Sequence, residues 1–499
     1  MEVGRPDPLR TVPGTAPGSA SGTAPSDPDP APNDPRLSVR YDASLPTTAP
    51  ATNPYLSGNF APVTEEIEYS APLAVDGAIP PTLVGAYLRN GPNPLNVEVH
   101  GRYHWFEGDG MIHAVELSHG EAACYRNRWV RTRKLARQLG TPPPPGPREP
   151  VDGPANTHII EHAGRLLALC ESGLPHLLTR DLDTLRVEDF DAMLASPMTA
   201  HPHVDPETGG MAFFGYDPWG PPFLRYHEMD AVGRLVHTTD VEVPQATMQH
   251  DFAVTKSRVA FLDFPVLFDL ERANDGAAIP FKWDYGAPAR VGILNRGDRG
   301  TSTRWIEVDP CYVFHVMNAF DDGPDVVMDV CRYERAFDLP QGGLLSSGLA
   351  RLERWRVDPV AGSVSSIPLD DRSVEFPRID DARAGRPYRF GYCVEMDRTQ
   401  DKDSYNALLR YDHVRDEVRR WDPGPGRSPG EPVFVRAADG KADDEGWVLS
   451  LVYDAGSNTS DLVVLDASHF GEDPEAVIHL PSRVPFGFHG SWVPSLTFR

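Results

Sequence analysis

The segment FAVTKSRVAFLDF, residues 252–264, shows which kind of structure this chain forms. Two short apolar runs rich in Val, Ala and Phe flank a polar stretch, which is the pattern of two strands and a turn. Similar runs, bounded by Gly, Pro, Asp or Asn, recur from Tyr55 onward: YLRN at 87, MIHAVEL at 111, CYRNRWV at 124, RLLALC at 165, MAFFGYD at 211, DVVMDVCRY at 325, RLERWRV at 351, ALLRYD at 407, GWVLSLVYD at 446 and DLVVLD at 461.

Many short strands without alternating helices predict an all-β fold. A propeller, a large barrel and tandem sandwiches are the candidates, and tandem sandwiches would show a linker halfway. The one mid-chain Pro-rich break, TPPPPGPREP at 141–150, is too short and too early for that. A propeller of about seven blades, with roughly four strands each, suits the length. Weak helical patterns at 132–140 and 187–195 predict short loop helices.

The composition indicates a soluble globular protein with no nucleic-acid partner. Of 499 residues, 40% are hydrophobic and 24% charged, which is ordinary. The net charge of −25 argues against nucleic acid, because phosphate binding depends on clustered Lys and Arg. It does not exclude peripheral contact of a local apolar patch with a membrane. Five scattered cysteines without a C-x-x-C pair are typical of free thiols in a reducing cytoplasm.

The chain divides into a tail and one domain. Residues 1–52 are rich in Pro, Ala, Thr, Ser and Asp and poor in aromatic and branched residues, so we predict a disordered tail. Residues 53–499 have a uniform texture and are predicted to form a single propeller domain. The N-terminus lacks the charged and apolar regions of a signal peptide, and no run reaches ~18 apolar residues. We therefore expect a cytoplasmic protein.

Four histidines stand in short segments that are suited to direct an imidazole inward. They are His201 in TAHPHVD, His250 in MQHDFAVT, His315 in FHVMNAFD and His489 in FGFHGSW. His250 and His315 each precede an apolar run, which predicts that they lie at strand starts. His201 precedes a proline and is therefore extended, but His203 shares its side of the chain, so the residues alone leave these two open.

Glycines 487 and 490 flank the His489 segment and allow close backbone packing on a crowded axis. Histidines so far apart in sequence can meet only where a closed fold brings remote strand ends to one axis. A four-imidazole metal site inside a propeller is the resulting hypothesis.

Several segments resemble the carotenoid cleavage oxygenase family. Besides the four histidine segments, the matches are YLRNGPNP at 87, HWFEGDGMIH at 104, ALCESGLP at 168, EFPRID at 375 and GEPVFV at 430, and the similarity spans residues 54–499. The resemblance implies a seven-bladed β-propeller with short loop helices capping the active-site face. It also implies one non-haem Fe(II) per chain, held by His201, His250, His315 and His489, and so selects His201 over His203.

The resemblance further implies three carboxylates that hold ligand histidines: Glu171 with His250, Glu375 with His315 and Glu431 with His489. Four neutral imidazoles leave the charge of the metal uncompensated in a cavity of low dielectric constant. A carboxylate that accepts the far N–H of a ligand histidine fixes its tautomer and partly neutralises the metal. His201 is left without such a carboxylate.

The implied activity is a dioxygenase reaction, with O2 as cosubstrate, that cleaves a conjugated C=C bond of a carotenoid or apocarotenoid into two carbonyl products. The alternative within the family is cleavage of a hydroxylated stilbene of the lignostilbene or resveratrol type. In those relatives a lysine and a tyrosine bind the phenol oxygen. Lys134 resembles that lysine, and Tyr103 is a candidate for the tyrosine, but its setting YHWFEGDG suits polyene cleavers as well. A surface lysine on a loop helix is the simpler interpretation of Lys134.

The substrate is expected to be a hydrophobic small molecule. The stretches MAFFGYDPWG (211–220), FPVLFDL (264–270) and FKWDYG (281–286) are candidates for a tunnel lining or mouth, with ordinary blade packing as the alternative. Two other classes of function are weighed: a propeller scaffold that has lost its metal, and a zinc hydrolase. The first is disfavoured because all seven site residues are present, and the second because such zinc sites usually have three protein ligands.

Overall fold

A computed structural model describes residues 53–96, 103–148, 152–277, 279–338, 349–397, 404–494 and 496–498. The predicted tail, residues 1–52, lies outside the described residues. The described part is mostly β-structure arranged as seven sheets around an axis, and a small two-stranded ribbon projects from one of them. The prediction of a seven-bladed β-propeller is confirmed.

Apart from β33 (Gly490–Pro494), the strands of the first four blades lie before residue 309, and strands are numbered in chain order. Blade 1 contains β1 (Glu68–Tyr69), β3 (Gly85–Pro92), β4 (Gly110–Ser118), β5 (Glu121–Trp129) and β33 (Gly490–Pro494). Blade 2 contains β6 (His158–His162), β7 (Arg165–Leu169), β8 (His176–Leu178) and β9 (Thr184–Val187). Blade 3 contains β10 (His203–Val204), β11 (Met211–Tyr216), β12 (Leu224–Met229) and β13 (Leu235–Val241). Blade 4 contains β14 (Ala253–Val254), β15 (Arg258–Asp263), β18 (Ala289–Asn295) and β19 (Arg304–Val308), with the ribbon β16 (Val266–Phe268) and β17 (Phe281–Trp283) between them.

The last three blades follow the same order along the chain. Blade 5 contains β20 (Tyr312–Asp322), β21 (Asp325–Tyr333), β22 (Arg351–Asp358) and β23 (Ser363–Pro368). Blade 6 contains β24 (Val374–Ile379), β25 (Phe390–Asp397), β26 (Ser404–Asp412) and β27 (Glu417–Trp421). Blade 7 contains β2 (Val75–Gly77), β28 (Arg427–Pro429), β29 (Val433–Arg436), β30 (Gly446–Asp454), β31 (Thr459–Asp466) and β32 (Ala476–His479).

The ring closes through strands from both ends of the described chain. β33 pairs antiparallel with β3 in blade 1, so that Gly490 stands opposite Arg89. β2 pairs with β32 in blade 7, with Val75 opposite Ile478. Blade 1 therefore contains a strand from near the end of the chain and blade 7 one from near its start, which fastens the first and last blades of the ring together.

The first strands of neighbouring blades surround the axis. β14 contacts β20, β20 contacts β24, β24 contacts β29, β29 contacts β33, and β33 contacts β6. Side chains at the ends of these strands are therefore brought together at the centre although they are remote in sequence.

Two short α-helices lie in the loops, α1 (Arg133–Leu139) and α2 (Leu270–Asn274). The loop helix predicted at 132–140 is confirmed as α1: the Thr132 side chain accepts a hydrogen bond from the Leu135 N–H, and Gly140 ends the helix with φ of 67°. The loop helix predicted at 187–195 is wrong. Phe190, Asp191 and Ala192 have φ between 52° and 63°, so this loop turns in the left-handed region instead. Among the described residues, no helix is long and apolar enough to cross a membrane.

Candidate metal centre

The four histidines singled out above lie at the inner strands of four blades. His201 stands two residues before β10, His250 three residues before β14, and His489 directly before β33. His315 differs from the prediction of a strand start, because it lies within β20. The pairing of β20 with β21 shifts register between Val313 and Val316, and such a bulge redirects a side chain without ending the strand.

The four imidazoles, which we call the histidine cluster, converge on the propeller axis. The ring centroid of His201 lies 4.7 Å from that of His250, 5.0 Å from that of His315 and 4.7 Å from that of His489. The His315 centroid lies 5.2 Å from that of His250 and 4.9 Å from that of His489. Residues separated by up to 288 positions in the chain thus share one small volume.

The spacing of nitrogen atoms suits a bound metal ion. The ligand-capable atoms of His201, His250 and His315 all lie within 4.8 Å of one another. The Nε2 atoms of His201 and His250 are 3.2 Å apart, and two nitrogens at right angles on a metal, each about 2.1 Å from it, would be about 3 Å apart. His315 Nε2 is buried and has no hydrogen-bond partner within the described ranges. A cation accounts for such an orphaned polar atom.

Three of these histidines contact a carboxylate through Nδ1. His250 Nδ1 lies 2.7 Å from Glu171 Oε2, His315 Nδ1 lies 2.5 Å from Glu375 Oε2, and His489 Nδ1 lies 2.8 Å from Glu431 Oε1. Since an ionised carboxylate only accepts hydrogen bonds, each Nδ1 is the donor. The lone pair is therefore on Nε2, the atom that a metal ligand must offer.

Each carboxylate is held by a different second group. The Tyr216 hydroxyl lies 3.3 Å from Glu171 Oε1 and donates to it. The Phe376 N–H donates to Glu375 Oε2 at 2.7 Å, and the Gly490 N–H donates to Glu431 Oε2 at 2.7 Å. These contacts fix the orientation of the carboxylates and, through them, of the imidazoles.

The electrostatics favour neutral imidazoles at two of the four positions. Burial, and then the neighbouring imidazoles of His489, His250 and His315, hold the pKa of His201 well below its usual value. Burial lowers the pKa of His489 to about 4, although the Glu431 carboxylate acts in the opposite direction. At His315 burial also lowers the pKa, but the Glu375 carboxylate outweighs it and the net shift is upward.

His203 lies outside the cluster. Its Nε2 is 3.1 Å from the Phe252 carbonyl oxygen and 3.6 Å from Asp251 Oδ1. Of the two histidines that the residues alone left open, the His201 imidazole therefore belongs to the cluster, and the His203 imidazole contacts the backbone of the segment after His250.

A fifth histidine, which the sequence analysis did not select, stands beside the cluster. The His158 ring centroid is 5.3 Å from that of His489, and its Nδ1 donates to the Ala200 carbonyl at 2.8 Å. Burial, followed by the neighbouring His489 and Arg378, lowers the pKa of His158 to about 3. Its position in NTHII, directly before an apolar run, is the same signal that marked His250.

His201 has no carboxylate contact among the described residues, and its support comes from the backbone. The Thr199 Oγ1 accepts the His201 N–H at 3.0 Å, and the carbonyl of Ala200 is the one held by His158. The segment that carries His201 is thus fixed on both sides of the residue.

Tyr103 and Lys134 converge on one short segment, residues 107–109. Lys134 Nζ lies 3.1 Å from Asp109 Oδ1 and 3.4 Å from the Glu107 carbonyl oxygen. The Tyr103 hydroxyl lies so close to Gly108 that a Cβ there would be 2.7 Å from it. Burial, and then the carboxylates of Asp109 and Glu107, raise the pKa of the Tyr103 hydroxyl above its usual value.

This segment is connected to the histidine cluster by the backbone. Asn156 Nδ2 donates to the carbonyl oxygens of Phe106 and Gly108, both at 2.8 Å. The next residue, Thr157, accepts the His489 N–H through its carbonyl at 3.1 Å. Tyr103 and Lys134 therefore both contact a segment that is connected to His489 through Asn156 and Thr157.

The two glycines of the His489 segment are required by close packing. A Cβ at Gly487 would lie 2.8 Å from the Arg89 guanidinium, and one at Gly490 would lie 2.7 Å from the Leu88 carbonyl oxygen. A larger residue at Gly490 would push the His489 segment away from the backbone of β3, whereas one at Gly487 would displace the Arg89 guanidinium.

Comparison with known proteins relates this architecture to oxygenases. The chain is 36% identical to the carotenoid cleavage oxygenase of Mycobacterium tuberculosis over 90% of this chain and 100% of the relative. It is similar in structure to the lignostilbene dioxygenase of Pseudomonas brassicacearum, with a TM-score of 0.81 and 30% identity over 91% of this chain and 100% of that one. It is also similar to a cobalt-substituted apocarotenoid oxygenase of Synechocystis, with a TM-score of 0.78 and 28% identity over 87% of this chain and 97% of that one.

The chain is accordingly an oxygenase built on a seven-bladed β-propeller. The retinal pigment epithelial membrane protein (RPE65) family matches residues 60–494. The chain belongs to this family, which includes the carotenoid cleavage oxygenases, and the resemblance drawn from the sequence is confirmed.

Proposed function

We propose that this protein is a non-haem Fe(II)-dependent dioxygenase that cleaves one conjugated C=C bond of a carotenoid or apocarotenoid. The alkene and one O2 give two carbonyl products, so that both oxygen atoms are incorporated and no external electrons are required. The observation that carries the proposal is the convergence of four imidazoles on the axis, three of them donating Nδ1–H to a carboxylate.

We propose His201, His250, His315 and His489 as the residues that hold the metal ion. An all-imidazole donor set suits a first-row divalent ion. A ferrous ion there would supply the open-shell centre through which ground-state dioxygen reacts with an electron-rich alkene. Glu171, Glu375 and Glu431 orient three of the imidazoles with Nε2 toward the ion and would offset its charge.

The aromatic stretches named in the sequence analysis support an apolar substrate. Trp219 packs against Phe268 at 4.9 Å, and Phe268 against Phe281 at 5.6 Å. Phe281 lies 6.4 Å from Tyr216, whose hydroxyl holds Glu171. These contacts join the three stretches into one aromatic cluster that reaches Glu171, and we propose that its face toward the histidine cluster is an apolar wall suited to a long polyene. Its role is to place one double bond at the centre.

We further propose that this wall opens at a surface where substrate is taken up. Near the ribbon, Leu270 is 49% exposed and Tyr285 is 75% exposed. Two apolar groups at the end of an apolar wall support peripheral contact with a lipid surface. For a cytoplasmic protein of net charge −25, neutral vesicles are expected to bind better than anionic ones.

A second candidate substrate, a 4-hydroxylated stilbene, is favoured by the pairing of Tyr103 with Lys134. An ammonium and a phenol that converge on residues 107–109 could bind a phenolate oxygen. Because ionisation of the phenol makes the conjugated alkene more electron-rich, this contact would assist the same cleavage. Lys134 Nζ also contacts the Asp109 carboxylate at 3.1 Å.

Metal loading tests the proposed function directly. Protein purified without oxygen and titrated with Fe(II) is expected to bind one ion per chain, whereas His250→Ala and His489→Ala are expected to bind none and to lack turnover. His469→Ala is the matched control, since this histidine is exposed and contacts Asp466. Wild-type protein that binds no iron would contradict the proposed function.

Product analysis separates the two substrate classes. Iron-loaded protein is incubated with an apocarotenal and with resveratrol, and the aldehydes are identified by mass spectrometry with 18O2. Lys134→Met is expected to leave polyene cleavage intact and, if stilbenes are cleaved, to raise KM for them. Cleavage of hydroxystilbenes alone, lost in Lys134→Met, would replace the first substrate class by the second.

A further inference from the structure

Arg378 connects to the histidine cluster although no step of the proposed reaction uses it. Its Nη1 donates to the Gly490 carbonyl at 2.9 Å and lies 3.2 Å from Glu431 Oε2. Glu431 in turn accepts from His489 Nδ1 and from the Gly490 N–H. The guanidinium therefore contacts both the carboxylate that holds His489 and the backbone of the residue after it.

Among the three carboxylates around the cluster, Glu431 is the one with a guanidinium contact within the described residues. Glu171 receives the Tyr216 hydroxyl, and Glu375 receives the Phe376 N–H. Glu431 is 4% exposed and the side chain of Arg378 is 16% exposed. A buried carboxylate of this kind is stable only with a well-placed partner, and the contact with Arg378 keeps it ionised and oriented.

The backbone around Arg378 explains how one segment reaches two histidines. β24 pairs with β25 in a register that shifts between Glu375 and Arg378, so the segment bulges. Phe376 lies in the left-handed region with φ of 51°, and its ring stacks 5.6 Å from His315 and lies 5.5 Å from His489. The bulge thus sends Glu375 to His315 and Arg378 to the Glu431–His489 pair.

The charge of the site gives Arg378 a second effect. Three carboxylates and one guanidinium sum to −2, which balances a divalent cation, whereas the same carboxylates without Arg378 would sum to −3. Two other buried charges that act on this site, Arg89 on Glu431 and Asp251 on His315, are of opposite sign. The outer contact of Arg378, Asp381 at 3.9 Å, has an exposed side chain whose charge is screened by solvent.

We infer that Arg378 is a positioning residue for the metal centre, acting through Glu431 to fix the His489 imidazole. The inference rests on the proposed function, in that it assumes a divalent ion at the histidine cluster. Two effects of removing Arg378 oppose each other. Loss of a positive charge near the cation would strengthen binding, while release of Glu431 would weaken it, and the geometry favours the second.

The test uses full-length apoprotein and Co(II), whose absorption bands report ligand geometry without turnover. Arg378→Met is expected to weaken Co(II) binding roughly 10- to 100-fold and to change the visible spectrum. Arg378→Lys keeps the charge but lacks the fork that reaches Glu431 and Gly490 together, so its affinity should lie between those of Arg378→Met and the wild type. Arg354→Met is the matched control, because it removes a guanidinium with two contacts to Asp329, both at 2.7 Å, that lies in blade 5.

A double variant tests whether Arg378 acts through Glu431. Arg378→Met combined with Glu431→Gln is expected to bind Co(II) within about twofold of Glu431→Gln alone. If Arg378→Met fails to fold, Arg378→Lys and its combination with Glu431→Gln give the same comparison.

The outcomes separate the inference from the proposed function. Wild-type protein that binds neither Co(II) nor Fe(II) would overturn the proposed function. The inference alone would be overturned if the wild type binds Co(II) and the Arg378 variants bind it with equal or higher affinity. It would also be overturned if the effects of the Arg378 and Glu431→Gln substitutions on Co(II) affinity are additive. If Arg378→Lys has the wild-type affinity for Co(II) and an unchanged spectrum, the effect of Arg378 is purely electrostatic. This result would also overturn the inference.

Discussion

Replacing Glu431 by glutamine should damage the metal centre more than the same change at Glu171. Glu431 Oε1 accepts from His489 Nδ1, while Oε2 accepts from the Gly490 N–H and contacts Arg378. In either orientation, a glutamine amide would place an NH2 group against one of these donors. At least one charge-assisted hydrogen bond is lost, which costs about 1.5–3 kcal/mol, or roughly 10- to 100-fold in affinity.

The contacts of Glu171 should tolerate substitution by glutamine better. Its Oε2 accepts from His250 Nδ1 at 2.7 Å, but its Oε1 faces the Tyr216 hydroxyl at 3.3 Å, and a hydroxyl can also accept. Glu171→Gln therefore keeps both hydrogen bonds in neutral form. We expect a loss of about 1 kcal/mol, or roughly fivefold.

The assay is an anaerobic Fe(II) titration of each apoprotein, with turnover measured at saturating iron. Glu228→Gln is the control, since Glu228 also contacts a tyrosine and an arginine, at 2.6 Å and 3.3 Å, and lies in blade 3. A Glu171 variant that loses as much affinity as the Glu431 variant, or a Glu431 variant equal to the wild type, would refute the reasoning from hydrogen-bond geometry.

Three further predictions concern packing, acid stability and the support of His201. A Cβ at Gly215 would overlap the backbone of the preceding loop, so Gly215→Ala should lower the free energy of unfolding by about 1–3 kcal/mol. Gly220→Ala is the control, because no atom lies within 4 Å of the added Cβ, and it should have little effect. Equal midpoints of denaturant unfolding for the two variants would contradict this. Burial lowers the pKa of His176 to about 4. The stability that the neutral imidazole contributes is therefore fully present above its unfolded-state pKa near 6.5 and is lost as pH falls toward 4, with a loss of about 2 kcal/mol at pH 5. His176→Leu should flatten the pH dependence of the free energy of unfolding. His158→Phe should weaken Co(II) binding severalfold by releasing the backbone beside His201, and unchanged affinity would show that the backbone needs no such donor.

The fold and the histidine positions could be predicted because both leave local patterns. Short apolar runs between turn residues predict strands at every blade, and a closed ring follows from their number and uniform spacing. His489 is marked by its glycines, which the packing against β3 requires. These signals depend on neighbours in sequence, so they can be read from the chain alone.

Features that depend on strand pairing or on contacts between blades were less accessible. The bulge that places His315 within β20 arises from pairing with β21, and no residue near it announces the shift. The left-handed turn at Phe190 replaces a helix because the loop packs between blades, where its amphipathic pattern is satisfied without helical hydrogen bonds. Nothing in the sequence around Arg378 distinguishes it from other charged residues, because its contact with Glu431 depends on the fold.

The strand that closes the ring begins one residue after His489, and this order has a consequence for biogenesis. During synthesis the first three histidines emerge well before the last, and the final one reaches the axis only when β33 docks on β3. An incompletely folded chain thus lacks the fourth imidazole of the histidine cluster. Closure of the ring and completion of the cluster are in this sense a single event.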